Sequence, residues 1–88
     1  MKARPEEIKR IFKTARGQID GILRMIEEDK YCVDISHQIL ACMALLKKAN
    51  SEILRAHIRS CVKEAFESER EEEREEKINE LMSIFEKQ

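Results

Sequence analysis

Hydrophobic residues recur at helical spacing in three successive segments of the chain. In the first segment they return every three or four positions, which places them on one face of a helix. Pro5 followed by two glutamates is typical of a helix start, because proline lacks the N–H that is unpaired there and acidic side chains suit the positive end of the helix dipole. We therefore predict a first helix over about residues 5–28. Its apolar face consists of Ile8, Ile11, Phe12, Ala15, Ile19, Ile22 and Ile26.

The pattern breaks around residues 29–33 and then resumes in a second, longer segment. Asp34 can cap the N-terminus of this helix, and neither glycine nor proline interrupts the next 32 positions, so we predict a helix over about 34–66. Its predicted apolar face consists of Ile35, Ile39, Met43, Leu46, Ala49, Ile53 and Val62.

A third helix is predicted over about residues 68–87. Ser68 with Glu71 three positions later fits a capping box. The apolar residues of this helix are Ile78, Leu81, Met82 and Phe85. The Glu/Arg-rich stretch over 67–77 is interpreted as a solvated surface. We place the break between the second and third helices near 66–68.

The composition favours a single all-α domain over residues 1–88. Of the 88 residues, 42% are apolar, 40% charged and 5% aromatic, which is typical of long amphipathic helices. A lone core of this size is only marginally stable, so we expect self-association. The longest apolar run, Ile39–Leu46, is far short of the roughly 20 residues that span a bilayer, and the N-terminus has no apolar signal region. A cytoplasmic protein without a membrane partner is expected.

Charge is divided unevenly along the chain. Residues 1–63 carry 13 Lys/Arg and 8 Asp/Glu, whereas residues 64–88 carry 4 and 10, although the net charge of the whole chain is only −1. In an oligomer the positive parts could merge into a surface suited to phosphates, but the overall charge lacks the strongly basic character of most nucleic-acid-binding domains. Charge alone leaves DNA binding undecided.

Three cysteines and two histidines are the candidates for metal chemistry. An odd number of cysteines favours reduced thiols over a disulfide framework. His57 and Cys61 are four residues apart, so on a helix they share one face and can bind a single ion. Cys32 is the candidate third ligand, whereas Cys42 lies inside the apolar run and is expected in the core. His37 is interpreted as a surface or dimer-seam residue.

The spacing of the candidate ligands requires two chains. Cys32 and His57 are 25 residues apart, which corresponds to roughly 37 Å along a straight helix. They can meet if the second helices of two chains pair antiparallel about a two-fold axis near Leu45–Leu46. Each Cys32 then lies opposite the partner's His57 and the partner's Cys61. Two thiolates and one imidazole favour Cu(I), with zinc as the weaker alternative.

Two segments carry a specific set of motifs. They are RGQIDGILRMIEEDKYCVDISHQI at 16–39 and NSEILRAHIRSCV at 50–62. The combination of GQ-x-x-GI-x-RMI, YC-x-D and H-x-x-x-C at this separation resembles the copper-sensitive operon repressor family of bacterial transcription regulators, over about Arg10 to Phe85. The resemblance implies a three-helix protomer that forms antiparallel dimers and a disc-like dimer of dimers. It also implies a metal site made by Cys32 of one protomer with the partner's His57 and the partner's Cys61.

The resemblance further implies roles for residues around the metal and at the DNA. Tyr31 and Glu80 would orient the ligating histidine through its other ring nitrogen, with Glu80 aligned across a short insertion in the Glu/Arg run. Basic residues of the first two helices would contact mainly DNA phosphates; they are Arg10, Lys13, Arg16, Lys47 and Lys48. Thr14 and Asp20 stand where many members of the family have arginines.

These observations together predict a Cu(I)-responsive repressor. The apo-protein would bind double-stranded operator DNA as a homodimer or homotetramer, and Cu(I) would release it to derepress copper-resistance genes. The alternatives are a persulfide or thiol-redox sensor that uses Cys32 and the partner's Cys61, and a zinc or nickel sensor. An enzyme with Cys61 as nucleophile is disfavoured, because nothing supplies an oxyanion hole or a cleft for an organic substrate. A copper carrier without DNA binding is disfavoured by the uneven charge.

Overall fold

The computed structural model describes residues 1–87, which form three α-helices joined by short turns. Helix α1 spans Pro5–Glu27, α2 spans Cys32–Glu67 and α3 spans Glu71–Glu86. Residues 1–87 contain no β-strand, which confirms the prediction of an all-α protein with a long second helix. Within the same residues, no helix is both long and apolar enough to cross a membrane.

Helix α1 begins at Pro5, as predicted, and packs against α2. The predicted apolar face is divided: Ile8, Ile11 and Ala15 are buried, whereas Phe12, Ile19 and Ile26 are exposed in the single chain. The periodicity places the apolar residues on one wide face of α1, but α2 covers only a part of that face.

The turn between α1 and α2 is tight and reverses the chain. Asp29 has a φ of 52°, in the left-handed region that aspartate tolerates better than most residues. The backbone N–H of Lys30 donates to the Met25 carbonyl at 2.9 Å, which closes the end of α1. The antiparallel packing of α1 on α2 results directly from this reversal.

Helix α2 begins at Cys32, before the predicted position. The Tyr31 carbonyl accepts hydrogen bonds from the backbone N–H groups of Asp34 at 3.0 Å and Ile35 at 3.2 Å, so Tyr31 is the N-cap. The prediction that Asp34 caps the helix is therefore wrong. Asp34 lies in the first turn, where its carboxylate suits the positive end of the helix dipole without a capping hydrogen bond among the described residues.

The break between α2 and α3 falls at residues 68–70, and its capping differs from the prediction. Helix α3 begins at Glu71 with Arg70 as N-cap, so the predicted capping box of Ser68 with Glu71 is wrong. The Ser68 hydroxyl accepts from the Arg70 N–H at 3.2 Å and donates to Glu73 Oε2 at 2.7 Å. Ser68 thus connects the turn to Glu73 in the first turn of α3 without acting as the N-cap.

The core lies between α1 and α2 and contains small side chains. Ala49 is completely buried, and Ala15 is 2% exposed. Cys42 Sγ lies 3.8 Å from the Ala15 carbonyl oxygen, which shows how closely the two helices approach. Cys42 is buried, which confirms its predicted place in the core, and His37 is exposed on α2.

Both α1 and α3 pack against α2, and the single chain is an extended slab. Its Cα atoms extend over 61 × 26 × 13 Å. Much of the predicted apolar face of α2 is exposed; the exposed members are Ile39, Met43, Leu46 and Val62, and Leu40 lies beside them. The chain therefore presents an uncovered apolar surface along the middle of its longest helix.

Candidate metal centre

His57 and Cys61 lie side by side on the face of α2 that packs against α3. Cys61 Sγ is 3.4 Å from His57 Nε2, as expected for side chains one turn apart on a helix. Cys61 is 2% exposed, whereas the His57 side chain is 38% exposed. One side of this pair is thus sealed by protein and the other is open to an entering ion.

Helix α3 brings a carboxylate to the same pair. Glu80 Oε1 lies 2.7 Å from His57 Nε2, and Glu80 Oε2 lies 3.7 Å from Cys61 Sγ. The donor atoms of these three residues lie within 4.8 Å of one another, and they offer one nitrogen, one sulfur and one oxygen. Glu80 is therefore hydrogen-bonded to His57 within the single chain.

Lys77 connects the cluster to a second carboxylate, a contact that the sequence did not predict. Its ammonium lies 2.9 Å from Glu64 Oε2 on α2 and 3.8 Å from Glu80 Oε2 on α3. Lys77 and Glu80 are three residues apart on α3, but the partner on α2 depends on the register of the two helices. The Glu64 contact therefore has no signal in the sequence.

The charges of the cluster set the protonation of its members. Burial, together with the nearby Glu80 charge, raises the pKa of the Cys61 thiol, and Lys77 only partly offsets this. The hydrogen bond from His57 lowers the pKa of Glu80. Cys61 is accordingly a neutral thiol near pH 7, and an ion must displace its proton to bind.

Cys32 and Tyr31 lie at the opposite end of α2 from this cluster. Cys32 is the first residue of the helix and is exposed, and the Tyr31 side chain before it is 66% exposed. The helix is continuous from Cys32 to His57, so about 37 Å separates them within one chain. The structure of one chain thus brings together His57, Cys61 and Glu80 but not Cys32.

The predicted DNA-contacting residues are all exposed on α1 and α2. Lys13 and Arg16 line a groove between the helices, together with Lys9, Asp20 and the apolar Leu46. The remaining predicted residues are Arg10, Lys47 and Lys48. Lys9 is not among the predicted contacts, although its spacing of four residues from Lys13 places both on one face of α1.

A second basic group, which the sequence did not predict, lies near the N-terminus. Lys2 and Arg4 share a depression with Arg55 and Arg59 of α2. Glu7 and Glu52 line the same depression, so its positive charge is partly neutralised. In the sequence, only the spacing of four residues between Arg55 and Arg59 indicates that members of this group share a helix face.

The fold and the cluster define a small all-helical protein with a mixed nitrogen, sulfur and oxygen donor set suited to a metal ion. Residues 4–87 match the family described as metal-sensitive transcriptional repressors. The chain belongs to this family, which confirms the resemblance found in its motifs.

Several relatives are known as copper sensors. The copper-sensing transcriptional repressor CsoR of Bacillus subtilis is 38% identical over 82 residues, which cover 93% of this chain and 78% of that protein. CsoR of Mycobacterium ulcerans is 48% identical over 50 residues, or 57% of this chain and 43% of that protein. The copper-sensing repressor RicR of Mycobacterium tuberculosis is 43% identical over 54 residues, covering 61% and 56% of the two chains. The match thus spans less than half of the length of the M. ulcerans protein. No solved structure matches this chain significantly.

Proposed function

We propose that this protein is a Cu(I)-responsive transcriptional repressor that binds operator DNA without metal and leaves it when Cu(I) binds. The observation that carries the proposal is the adjacent placement of His57 and Cys61, with Glu80 hydrogen-bonded to the imidazole. Membership of the repressor family and the copper-sensing relatives support it. Copper-resistance genes are the proposed targets.

The hydrogen bond to Glu80 prepares His57 to act as a ligand. The lowered pKa of Glu80 keeps its carboxylate ionised near pH 7, so Nε2 carries the proton and donates it. Nδ1 then has a free lone pair, and we assign it to Cu(I). Ligand histidines commonly donate their other N–H to a carboxylate, which fixes the orientation of the ring.

The third proposed ligand is Cys32 from a second copy of the chain. A two-fold axis midway between Cys32 and His57, near Leu45–Leu46, would pair each Cys32 with the partner's His57 and the partner's Cys61. Near that midpoint Leu40 is 58% exposed and Met43 is 57% exposed, and an antiparallel partner would bury them. Tyr31, the residue before Cys32, would approach the same imidazole.

The donor set suits Cu(I) better than other ions. Two thiolates and one imidazole are soft ligands, and a three-coordinate arrangement fits Cu(I), whereas structural zinc normally takes four ligands. When bound, Cu(I) would link the ends of two antiparallel α2 helices through bonds from both chains.

The groove between α1 and α2 is the proposed contact with DNA. Lys13 and Arg16 line it, and the other proposed contacts are exposed on the same two helices; they are Arg10, Lys47 and Lys48. These cations would contact mainly phosphates, so binding should weaken steeply with salt. A dimer or tetramer repeats this surface and multiplies the number of phosphates contacted.

The test is fluorescence anisotropy of the apo-protein on DNA from its own promoter, titrated without oxygen with Cu(I), Zn(II) or polysulfide. We expect stoichiometric Cu(I) to release the DNA, and we expect Cys32→Ala to abolish that release. Release by polysulfide alone would assign the protein to thiol-redox sensing. A complete lack of DNA binding would overturn the repressor proposal in favour of a copper carrier.

A further inference from the structure

We infer that the chain has a second mode of metal binding, in which one protomer alone holds a divalent cation of the zinc class through His57, Cys61 and Glu80. This mode uses no residue of a partner subunit and does not use Cys32. It therefore differs from the proposed Cu(I) site, and the distances that support it lie within a single chain.

The two distances from the Cys61 sulfur match those in a tetrahedral ion site. With zinc bonds of about 2.3 Å to sulfur and about 2.0–2.1 Å to nitrogen or oxygen, tetrahedral ligand atoms lie roughly 3.5 Å apart. Cys61 Sγ is 3.4 Å from His57 Nε2 and 3.7 Å from Glu80 Oε2. His57 Nε2 is hydrogen-bonded to the other carboxylate oxygen, Oε1, at 2.7 Å, and the three donor groups lie within 4.8 Å of one another. A bound cation takes the place of the proton that Nε2 shares with Oε1.

The chemistry of the donors separates this mode from Cu(I) binding. Carboxylate oxygen is a hard ligand that zinc and cobalt accept beside sulfur and nitrogen, whereas Cu(I) prefers soft ligands. The divalent ion takes Nε2, which faces both Cys61 and Glu80, and Cu(I) takes Nδ1. The two modes therefore share Cys61 but use different nitrogens of His57.

The surrounding charge also suits a divalent cation. Binding leaves Cys61 as thiolate beside the Glu80 carboxylate, and Glu64 adds a third negative charge on α2. Among residues 1–87, Lys77 is the one lysine or arginine paired with Glu80, at 3.8 Å, and it is held more closely by Glu64 at 2.9 Å. His57 and Glu80 are 38% and 42% exposed, so water can complete the fourth position.

The experiment is an anaerobic titration of the full chain with Co(II), with Zn(II) then added as competitor. Co(II) reports tetrahedral geometry through its d–d bands and each bound thiolate through near-ultraviolet charge-transfer absorption. The proteins are the wild type, Cys32→Ser, Cys61→Ser and Glu80→Gln. Glu75→Gln is the matched control, because Glu75 is an exposed glutamate on the same helix. Circular dichroism verifies that each variant remains helical.

We expect Cys32→Ser to keep the wild-type spectrum, with the absorption of one thiolate and an unchanged Co(II) affinity. Cys61→Ser should lose the charge-transfer band. Glu80→Gln should weaken Co(II) at least about tenfold, since loss of even a hydrogen-bonding partner of a ligand commonly costs that much. Glu75→Gln should match the wild type.

Two results would overturn the inference. One is loss of half of the charge-transfer intensity in Cys32→Ser, which would show that Co(II) uses the site between two chains. The other is equal Co(II) affinity of Glu80→Gln and Glu75→Gln. Cu(I) titrations of the same proteins keep the two proposals apart, because the Cu(I) proposal fails if Cys32→Ser binds Cu(I) as tightly as the wild type.

Discussion

Glu80 accepts a hydrogen bond from His57 across the contact between α3 and α2, with 2.7 Å between Oε1 and Nε2. None of the residues described for α3 is buried, and Leu81 and Ile84 are only half-buried. Polar contacts therefore contribute to the attachment of α3 to α2, and this one involves a proposed metal ligand. A change in the orientation or protonation of the imidazole therefore alters a contact between α2 and α3.

Glu80→Gln should uncouple metal binding from DNA release. Glutamine is a weaker acceptor than carboxylate, so the His57 ring loses its charged partner while Nδ1 and Cys61 remain available to Cu(I). The coupling free energy, typically 1–3 kcal/mol in such systems, should fall toward zero. It is measured as the ratio of DNA affinities with and without Cu(I). Glu75→Gln is the control, and full release by Glu80→Gln would contradict the proposed route.

Mixing two inactive variants should restore one of the two Cu(I) sites in each mixed dimer. Cys32→Ser and Cys61→Ser should each destroy both sites of the proposed symmetric dimer. In a mixed dimer of the proposed kind, however, the intact Cys32 of one chain would face the partner's intact His57 and the partner's intact Cys61. Cu(I) titration of a co-refolded mixture, with each variant alone as control, should show one tight site per mixed dimer. If the mixture binds no more than its components, the ligands do not come from two chains.

Stability at acid pH should depend on the ion pairs of Lys77. The hydrogen bond with Lys77 lowers the pKa of Glu64, and that with His57 lowers the pKa of Glu80. A lowered folded-state pKa contributes stability that is present above the unfolded value, about 4.3 for glutamate, and is lost as pH falls through the folded-state value. These groups are partly exposed, so the effect should be modest.

Lys77→Met provides the comparison for this pH dependence. The wild type should have the higher urea midpoint at pH 7, and the difference should shrink as pH falls below the glutamate range. The Lys77 pKa is raised by Glu64, so its contribution is present at neutral pH and is lost only as pH rises through that raised value. A midpoint difference that stays constant from neutral to acid pH would argue against the ion pairs.

Substitutions in the groove between α1 and α2 should change DNA affinity in opposite directions. Lys13→Gln removes a cation, so affinity should fall for all sequences and the slope of log K against log salt should decrease in magnitude by about 1. Asp20→Asn removes the carboxylate that lines the same groove and should strengthen binding. Anisotropy at several salt concentrations measures both. If neither variant changes the DNA affinity or the slope of log K against log salt, the DNA does not bind in this groove.

Ala49→Leu should destabilise the protein by about 1–3 kcal/mol, because overpacking a filled core forces helices apart. Ala49 is completely buried between α1 and α2. Ser51→Leu, two residues along on the exposed side of α2, is the control and should cost far less. Urea unfolding measures both variants, and equal effects would show that the α1–α2 contact is looser than described.

The three helices could be predicted from the sequence because their apolar periods and the break after Glu67 are local features. The residues that cap the helices could not be predicted in this way. Asp34 and Ser68 have side chains suited to N-caps, but the observed N-caps of α2 and α3 are Tyr31 and Arg70. Capping depends on where the chain must turn, which is set by the packing of whole helices.

The candidate site was predictable to different degrees. The spacing of His57 and Cys61 is a matter of helical geometry alone. Glu80 is one of many glutamates near the C-terminus, and only the family resemblance selected it. The Lys77 contact with Glu64 depends on the register between α2 and α3, which nothing local encodes. Similarly, apolar periodicity could not tell which residues of α2 face α1 and which stay exposed, such as Met43.

The 13 Å thickness of the slab has a consequence for the lifetime of the protein in a cell. A slab this thin has little interior, so only a few of the described side chains, such as Ala49, are fully covered in a lone chain, and much of the apolar face of α2 meets water. Such a chain opens easily and is an accessible substrate for proteases. Association with a second copy would protect it, so its abundance should fall disproportionately when synthesis is slow.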